Sequence, residues 1–241
     1  MAQRSNTPHA LVTGATSGIG RAVAIALAEA GYSVTATGLT DAEVDAFDAD
    51  GRAISAVRLN VSDDAAINDL VPRFDRLDVL VNCAGIILRD RREYDPAGFA
   101  EVIDVNLTGT MRVCAACREL LAASRGCIVN MASMLSFFGS GFVPAYSASK
   151  GGIVQLTKSL AIGWAADGIR VNAVAPGWIA TALTQPLIDN PERNREILDR
   201  TPLGRWGQAE DVAGAVAFLC SPQAAFITGI VLPVDGGYLI A

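Results

Sequence analysis

Short apolar runs along the chain alternate with longer segments in which apolar residues recur every three or four positions. Seven of the short runs are rich in β-branched residues and predict strands at 9–13, 33–37, 54–59, 77–82, 127–132, 169–175 and 230–234. The periodic segments predict helices at about 18–30, 63–73, 98–123, 146–166 and 208–220. Several strands are apolar on both faces, as expected when helices cover both sides of a parallel sheet.

This alternation predicts an α/β fold of the doubly wound type, with a mainly parallel seven-stranded sheet and helices on both faces. No internal repeat, linker or low-complexity run divides the 241 residues, so we expect one domain that spans residues 1–241. Late in the chain, residues 184–200 are polar and irregular in pattern. We expect a mobile substrate lid in this region, at about 182–204.

Composition and charge exclude several classes of function. Hydrophobic residues make up 51% of the chain, which is enough for a sizeable core. The net charge of −6 argues against a nucleic-acid partner, because binding to a phosphate backbone needs clustered lysine and arginine. No apolar run approaches the ~18 residues of a membrane span, and the N-terminal MAQRSNTPHA lacks the apolar core of a secretory signal. We therefore expect a cytoplasmic protein that binds neither nucleic acid nor membrane.

The chain has five cysteines, and an odd number without a secretory signal indicates reduced thiols. Cys114 and Cys117 form a C-x-x-C pair inside a long helical pattern. No second pair and no histidine stands near them in the sequence, so a zinc site is unsupported and packing is the preferred interpretation. We expect no metal.

A glycine-rich turn joins the first predicted strand to the first predicted helix. Gly14, Gly18 and Gly20 let the backbone turn tightly and approach a pyrophosphate, which the N–H groups at the helix N-terminus would bind. A Walker A loop would place lysine after its last glycine, whereas Arg21 follows Gly20 here. Hydrolysis of nucleoside triphosphates is therefore excluded, and a dinucleotide site is favoured.

The spacing T-G-x-x-x-G-x-G from Thr13 to Gly20 resembles the cofactor loop of the short-chain dehydrogenase/reductase family. Residues 82–85, N-C-A-G, match that family's turn after the fourth strand, and Pro176-Gly177 and the V-D-G-G at 234–237 match later landmarks. Four further residues match its catalytic set: Asn106, Ser133, Tyr146 and Lys150. The resemblance covers residues 9–240 and implies a Rossmann-like domain that binds a dinucleotide and catalyses an NAD(P)-dependent oxidoreduction.

The resemblance also implies which residues contact the dinucleotide. They lie in the glycine loop, after the second, third, fourth and sixth strands, and in the tyrosine–lysine pair: Gly14, Thr16, Ser17, Gly18, Ile19, Gly20, Gly38, Leu39, Asn60, Val61, Asn82, Ala84, Gly85, Tyr146, Lys150, Pro176, Gly177, Ile179 and Thr181. Asn60 departs from the aspartate usual in the family, and its amide oxygen would still accept a hydrogen bond from adenine.

The choice between NAD and NADP depends on the charges near the adenosine ribose. An acidic residue after the second strand binds the 2′-hydroxyl of NAD, whereas an arginine there binds the 2′-phosphate of NADP. Gly38 and Leu39 are neither acidic nor basic, and Asp41 lies three residues beyond the expected position of the acidic residue. Ser17 occupies a position where many NADP-using relatives have a cationic residue. Because a 2′-phosphate would lack a charge partner, NAD is favoured over NADP.

Tyr146 and Lys150 are four residues apart in a predicted helix, which puts both side chains on one helix face. A free tyrosine has a pKa near ~10, too high for a base at neutral pH. An ammonium about 4 Å away, at an effective dielectric constant of ~20, attracts the phenolate by about 4 kcal/mol. That attraction lowers the phenol pKa by roughly 3 units, into the range where general acid–base catalysis is effective.

By the family resemblance, Tyr146 exchanges a proton with the substrate hydroxyl or carbonyl, while Lys150 lowers the phenol pKa and holds the nicotinamide ribose. Ser133 hydrogen-bonds the substrate oxygen, and Asn106 helps hold a water that links Lys150 to solvent. Hydride passes between the cofactor and the substrate carbon. A Ser-His-Asp hydrolase is excluded, because the only histidine, His9, precedes the first strand and no G-x-S-x-G is present.

Bulky apolar residues flank the catalytic set and are expected either to form a wall around the substrate or, for some of them, only to pack in the core: Met134, Leu135, Phe137, Phe138, Val143, Pro144, Trp178 and Leu183. In contrast to these apolar residues, the segment from Leu88 to Arg92 is basic. It resembles a segment in the sugar-acid dehydrogenases of this family. Its arginines would either bind a substrate carboxylate or lie in a solvated loop.

These features indicate a small secondary alcohol or its ketone as substrate, such as a sugar, a polyol or a hydroxy acid. A 3-oxoacyl thioester is the alternative substrate, and a catalytically silent dinucleotide sensor is the alternative from another class. The intact Ser133, Tyr146 and Lys150 favour an enzyme.

The family forms tetramers through its two long central helices, here at about 98–123 and 146–166, so the resemblance implies a homotetramer. On the second helix, Ile153, Leu156, Leu160 and Trp164 would face either a partner subunit or the sheet.

Overall fold

The computed structural model describes residues 7–241. Residues 1–6, which belong to the predicted domain of residues 1–241 and to the polar N-terminal segment, lie outside the described residues. The described chain forms a seven-stranded sheet in the order β3-β2-β1-β4-β5-β6-β7, with neighbouring strands parallel. The fold predicted from the apolar pattern is therefore confirmed.

The strands lie close to their predicted positions. They are β1 (His9–Thr13), β2 (Ser33–Gly38), β3 (Ile54–Arg58), β4 (Val79–Asn82), β5 (Cys127–Met131), β6 (Arg170–Pro176) and β7 (Val231–Val234). The central strands β1, β4 and β5 are buried along nearly their whole length, because helices cover both faces of the sheet.

Nine α-helices occur among the described residues: α1 (Gly18–Glu29), α2 (Asp41–Asp45), α3 (Asp64–Leu70), α4 (Pro96–Ile103), α5 (Thr110–Ser124), α6 (Pro144–Gly163), α7 (Gln185–Ile188), α8 (Pro191–Arg200) and α9 (Ala209–Cys220). The two largest apolar cores among the described residues lie on opposite faces of the sheet. One contains residues of α1 and α9, and the other contains residues of α3, α5 and α6.

The helix predicted at 98–123 is divided. A π-helical segment, Asp104–Gly109, separates α4 from α5. The wider turn fits against the loop after β3, where a Cβ added at Gly109 would lie 2.8 Å from a methyl group of Val61. Such π-helical turns are often found at functional sites, and this one carries Asn106.

Helices α2, α7 and α8 are not among the helices predicted from the sequence. Thr40 and Glu43 form a reciprocal capping box at the start of α2. Asn190 accepts the N–H groups of Glu192 and Arg193 at the start of α8, where Pro191 occupies the first helical position. The expectation of an irregular segment at 184–200 is therefore wrong, since most of it is helical.

The apolar residues named on α6 and just after it face inward. Ile153, Leu160 and Trp164 are buried, and Leu156 is partly buried against the same cores. Ile162 is 80% exposed. Cys114 and Cys117 are also fully buried in a core, as the packing interpretation requires. Among the described residues, no helix combines the length and the hydropathy that a bilayer crossing requires.

The carboxyl ends of the parallel strands meet at one edge of the sheet, and the strand order reverses between β1 and β4. Thr13 at the end of β1 is in register with Asn82 at the end of β4, so the loops that follow them start side by side. In open α/β sheets, ligands bind in the crevice at such a reversal.

Candidate active site

The glycine loop after β1 packs directly against the turn after β4. Gly14 and Gly18 have φ values of 60° and 53°, in the left-handed region that favours glycine. A Cβ added at Gly14 would lie 2.7 Å from Cα of Ala84, and one added at Gly20 would lie 2.2 Å from the carbonyl oxygen of Gly14. A side chain at Gly14 would force the two turns apart, and one at Gly20 would clash with the main chain of the glycine loop itself.

Threonine side chains at the ends of two strands hold the glycine loop in place. The N–H of Ala84 donates to Oγ1 of Thr13 at 3.2 Å, and the N–H of Gly14 donates to Oγ1 of Thr37 at 3.3 Å. A Cβ added at Gly38 would lie 2.7 Å from a methyl group of Thr16. The predicted residues of three loops are thus brought together.

The N-terminus of α1 suits an anion. Within the described residues, Ser17 makes no side-chain capping hydrogen bond, and the first turn carries no acidic residue. The first N–H groups of a helix lack partners inside the helix and carry a partial positive charge. The loop and the helix start therefore fit the pyrophosphate of a dinucleotide.

The segment after β6 completes this side of the site. Pro176, Gly177, Ile179 and Thr181 line a pocket of about 730 Å³, together with Ile19 of α1. Gly85, after β4, lies at the centre of the site. A Cβ added there would be 3.2 Å from Oδ1 of Asn106 and 3.8 Å from Nζ of Lys150.

Three of the predicted cofactor residues have side chains that are buried or hydrogen-bonded within the protein. Asn82 is buried and donates from Nδ2 to Oδ1 of Asn130 at 2.9 Å. The side chain of Val61 is buried in a core, and Oδ1 of Asn60 accepts the N–H of Ser62 at 3.0 Å. Asn82 and Val61 thus offer a ligand mainly their main-chain atoms.

Tyr146 and Lys150 lie together near the start of α6, as predicted. Nζ of Lys150 is 5.5 Å from the centre of the Tyr146 ring and donates a hydrogen bond to the carbonyl oxygen of Met131 at 2.6 Å. Lys150 is almost completely buried, and this desolvation lowers its pKa to about 8. The tyrosine faces the pocket.

The shift in the Tyr146 pKa is opposite to the prediction. Burial raises the pKa of this phenol above its ordinary value, and the hydrogen bond with Ser133 only partly offsets the effect. The negative charge of Glu93 raises it further. The expected lowering by Lys150 does not outweigh these effects, and its ammonium donates to the Met131 carbonyl.

Ser133 follows β5 and lines the pocket beside Tyr146. Its Oγ accepts the N–H of Leu135 at 3.2 Å, and its own N–H donates to Oγ of Ser136 at 3.2 Å. Ser136 in turn donates to the carbonyl oxygen of Lys150 at 2.7 Å. These contacts fix the serine relative to the helix that carries the tyrosine and the lysine.

Asn106 holds the chain just after the N-C-A-G turn. Its Oδ1 accepts the N–H of Ile86 at 2.7 Å, and its Nδ2 donates to the Ile86 carbonyl at 2.9 Å and to Oγ of Ser149 at 3.1 Å. The side chain thereby connects the loop after β4 to α6.

Most of the predicted apolar wall lines the pocket: Met134, Leu135, Phe138, Val143, Trp178 and Leu183. Two residues do not belong to it. Phe137 follows a short 3-10 turn and is 51% exposed, and Pro144 begins α6 outside the lining.

Two arginines of the basic segment line the pocket. Arg89 donates from Nη2 to the carbonyl oxygen of Leu183, and Arg91 lies over the ring of Tyr94 at 5.3 Å. Arg92 instead pairs with the exposed Glu101 at 3.7 Å. Arg92 therefore fits the solvated-loop alternative, while Arg89 and Arg91 lie in the lining of the pocket.

Two residues of the site escaped the sequence analysis. Tyr238, which follows the V-D-G-G landmark, lines the pocket and packs edge-on against Trp178. Glu93 is 1% exposed and accepts main-chain N–H groups from Leu88 and Tyr146. Its position after a run of arginines indicates a solvated residue, and no periodicity signals its burial.

Comparison with known proteins gives matches along nearly the whole chain. The sequence profile of a family described as enoyl-(acyl carrier protein) reductase matches residues 14–239. The 2-dehydro-3-deoxy-D-gluconate 5-dehydrogenase of Bacillus subtilis is 43% identical over 238 residues, covering 95% of this chain and 94% of the relative. The 3-oxoacyl-[acyl-carrier-protein] reductase FabG of Staphylococcus aureus is 40% identical over 245 residues, covering 96% of this chain and 98% of the relative.

Solved structures agree with this fold. A putative 2-deoxy-D-gluconate 3-dehydrogenase from Agrobacterium tumefaciens with bound NADP is 44% identical and superposes with a TM-score of 0.88, covering 97% of both chains. A gluconate 5-dehydrogenase from Burkholderia cenocepacia, in complex with NADP and tartrate, is 33% identical with a TM-score of 0.91. It covers 99% of this chain and 97% of its own.

Proposed function

The chain belongs to the short-chain dehydrogenase/reductase family, and we propose that within this family it interconverts a secondary alcohol and a ketone on a sugar acid. It is an NAD(P)-dependent oxidoreductase that acts on CH–OH groups. The observation that carries the proposed substrate class is the placement of Arg89 and Arg91 in the same pocket as Ser133 and Tyr146.

The charge of the pocket supports an anionic substrate. Its described lining includes Arg89, Arg91 and Arg193 but one acidic residue, Asp90. Arg193 is paired with Glu196, which leaves the two arginines of the basic segment to meet a ligand. A guanidinium binds a carboxylate through two parallel hydrogen bonds. The sugar acids named for two of the related dehydrogenases, and the tartrate bound to one of them, are carboxylates.

The conformation of the basic segment is also consistent with a binding role. Asp90 and Arg91 are consecutive non-glycine residues with φ values of 56° and 60°. Such a conformation costs about 1 kcal/mol or more per residue and is concentrated at functional sites. We propose that this turn directs Arg89 and Arg91 toward the substrate carboxylate.

The proton transfer is assigned to residues around the pocket. Ser133 and Tyr146 hydrogen-bond the substrate oxygen, and Tyr146 accepts its proton during oxidation or returns it during reduction. A bound NAD(P) supplies the hydride acceptor or donor and, when oxidised, a positive charge. Lys150 contributes a second positive charge, which stabilises the phenolate while the lysine remains protonated.

Between the two dinucleotides, the charges at the end of β2 support NAD. The carboxylate of Glu43 accepts the N–H of Leu39 at 2.6 Å and lies beside Gly38. Arg58 is paired with Asp41 at 3.3 Å, and Ser17 is neutral. A 2′-phosphate would meet the carboxylate at this position, so we propose NAD, although three related solved structures hold NADP.

A 3-oxoacyl thioester is the second candidate substrate. The apolar part of the pocket, with Met134, Leu135, Phe138 and Trp178, would accommodate an acyl chain. The homotetramer, the cytoplasmic location and the lid at about 182–204 remain predictions. Leu183, Thr184, Leu187 and Arg193 of the lid segment line the pocket, which supports a role in covering the substrate.

The test is an absorbance assay in the reduced-nicotinamide band with the purified full chain. The panel contains sugar acids such as gluconate, neutral polyols and 3-oxoacyl thioesters, each assayed with NAD(H) and NADP(H). We expect the highest kcat/KM for a sugar acid or its keto form. A preference for neutral polyols or for thioesters would overturn the proposed substrate class.

A further inference from the structure

Glu93 is a charged residue in the interior of the protein. It lies in a short 3-10 turn, Arg92–Tyr94, and is 1% exposed. Burying a carboxylate costs several kcal/mol unless its oxygens are satisfied. No cation forms an ion pair with it among the described residues. Its hydrogen-bond partners must therefore compensate for the lost hydration.

Both carboxylate oxygens of Glu93 have a main-chain partner. Oε1 accepts the N–H of Leu88 at 2.9 Å, and Oε2 accepts the N–H of Tyr146 at 2.9 Å. Leu88 immediately precedes Arg89 in the segment that enters the pocket. Two elements far apart in the sequence are thus bridged by one carboxylate.

The Tyr146 end of this bridge lies at the start of α6. The N–H groups in the first turn of a helix have no partners inside the helix, and they stabilise a nearby negative charge. Val143, the residue before α6, makes no side-chain capping hydrogen bond among the described contacts. Glu93 therefore acts as the cap of this helix from a separate element of the chain.

We infer that Glu93 is a positioning residue, whose carboxylate fixes the loop carrying Arg89 relative to the main chain of Tyr146. Arg89 would bind the substrate carboxylate and Tyr146 would transfer the proton of the substrate hydroxyl. Glu93 thereby fixes the distance between these two residues. The part of this inference that concerns Arg89 rests on the proposed sugar-acid substrate. The part that concerns Tyr146 applies to any alcohol that the enzyme oxidises.

The charge of Glu93 provides a readout that a purely structural role would not move. Its negative charge raises the pKa of Tyr146, while Ser133 lowers that pKa through its hydrogen bond. Lys150 is a second charged group beside the phenol, and Arg89, Asp90, Arg91 and Arg193 line the same pocket. Burial raises the pKa of the Cys83 thiol to about 12, which keeps it neutral. Removing the Glu93 charge should thus lower the Tyr146 pKa.

Two substitutions test the hydrogen bonds of Glu93 and its negative charge separately. Glu93→Gln removes the charge and leaves one acceptor oxygen for two N–H groups. Glu93→Asp keeps the charge but is one methylene too short to reach both partners. Glu101→Gln is the control, because it removes a nearby carboxylate that is exposed and touches neither Leu88 nor Tyr146.

The experiment measures kcat, KM and the pH profile for oxidation of the most active alcohol in the panel. Dinucleotide affinity is measured by protein fluorescence and folding by thermal unfolding. We expect kcat/KM to fall by about 10- to 100-fold in both Glu93 variants. The limb of the profile that reports deprotonation of Tyr146 should shift to lower pH in Glu93→Gln and stay in place in Glu93→Asp and Glu101→Gln.

A folded Glu93→Gln with wild-type kcat/KM and an unshifted profile would overturn the inference. So would failure of both Glu93 variants to fold, because the residue would then be purely structural. If the enzyme prefers a neutral alcohol, the sugar-acid proposal fails, whereas the shift of the limb in Glu93→Gln still decides the role of Glu93.

Discussion

Arg89 donates a hydrogen bond from Nη2 to the main-chain carbonyl of Leu183, joining the loop after β4 to the segment that follows β6. Both residues line the pocket that contains Ser133 and Tyr146. A carbonyl oxygen satisfies only part of a guanidinium, which has five N–H donors. The remaining donors are available to a substrate carboxylate.

Replacing Arg89 with alanine should therefore weaken reaction with sugar acids specifically. A charge-assisted hydrogen bond contributes roughly 1.5–3 kcal/mol, so kcat/KM for gluconate-type substrates should fall by about 10- to 100-fold. Activity on neutral polyols should change little. Steady-state kinetics with both substrate types checks this.

Arg92→Ala is the matched control, since Arg92 belongs to the same segment but pairs outward with Glu101. It should behave as wild type with both substrates. Equal losses with neutral and acidic substrates in Arg89→Ala would show that this arginine stabilises the loop and does not recognise a carboxylate.

The charge at the end of β2 predicts a preference between dinucleotides. Wild-type protein should bind NAD more tightly than NADP, because the Glu43 carboxylate would repel a 2′-phosphate. Glu43→Gln keeps an oxygen to cap α2 and should raise NADP affinity by roughly 10-fold. Fluorescence titration measures both affinities, and Asp45→Asn on the same helix is the control. Tighter NADP binding by the wild type would contradict this account.

The contact between the two loops predicts a large effect of a single methyl group. Gly14→Ala would place Cβ 2.7 Å from Cα of Ala84, at a residue whose φ is +60°. We expect a lower melting temperature and loss of dinucleotide binding. Gly214 in α9 is the control, because a Cβ there meets nothing within 4 Å, and Gly214→Ala should be neutral or slightly stabilising. Normal dinucleotide binding by Gly14→Ala would argue against the close packing of the loops.

The buried Lys150 predicts a pH-dependent cost to stability. Its pKa falls from 10.5 to about 8 on folding, which corresponds to roughly 3 kcal/mol. Below pH 8 the lysine is protonated in both the folded and the unfolded state, so the full cost is present. Between pH 8 and 10.5 the unfolded state binds the extra proton, and the cost disappears as pH rises.

Lys150→Met should consequently raise the free energy of unfolding at pH 7 by up to about 3 kcal/mol while abolishing turnover. The gain over wild type should shrink between pH 8 and 10.5. Urea unfolding at several pH values measures it. A stability difference that does not depend on pH would mean that Lys150 keeps its ordinary pKa in the folded protein.

Much of this architecture could be predicted from the sequence because the informative signals are local. The β-branched runs located the seven strands, and the spacing of Tyr146 and Lys150 placed both on one helix. The π-helical turn that carries Asn106 could not be predicted, since it depends on the packing of Gly109 against Val61. The N-terminal cap at Asn190 and Pro191, by contrast, is a local signal from which the start of α8 is predictable.

The electrostatics of the site were harder to predict. Spacing indicates that Lys150 and Tyr146 are neighbours, but it does not show that both are desolvated, which reverses the expected shift of the phenol pKa. Glu93 follows three arginines within five residues and looks like a surface charge. Its burial results from two main-chain N–H groups that only the folded chain brings together.

The central claim is that Tyr146 transfers the substrate proton beside a bound dinucleotide. The most direct measurement compares Tyr146→Phe with the wild type in two assays. Fluorescence titration should give the same dinucleotide affinity, because the phenyl ring and Lys150 remain. The formation of reduced nicotinamide should fall by about 10²- to 10⁴-fold. Turnover close to that of the wild type, with dinucleotide still bound, would contradict the account.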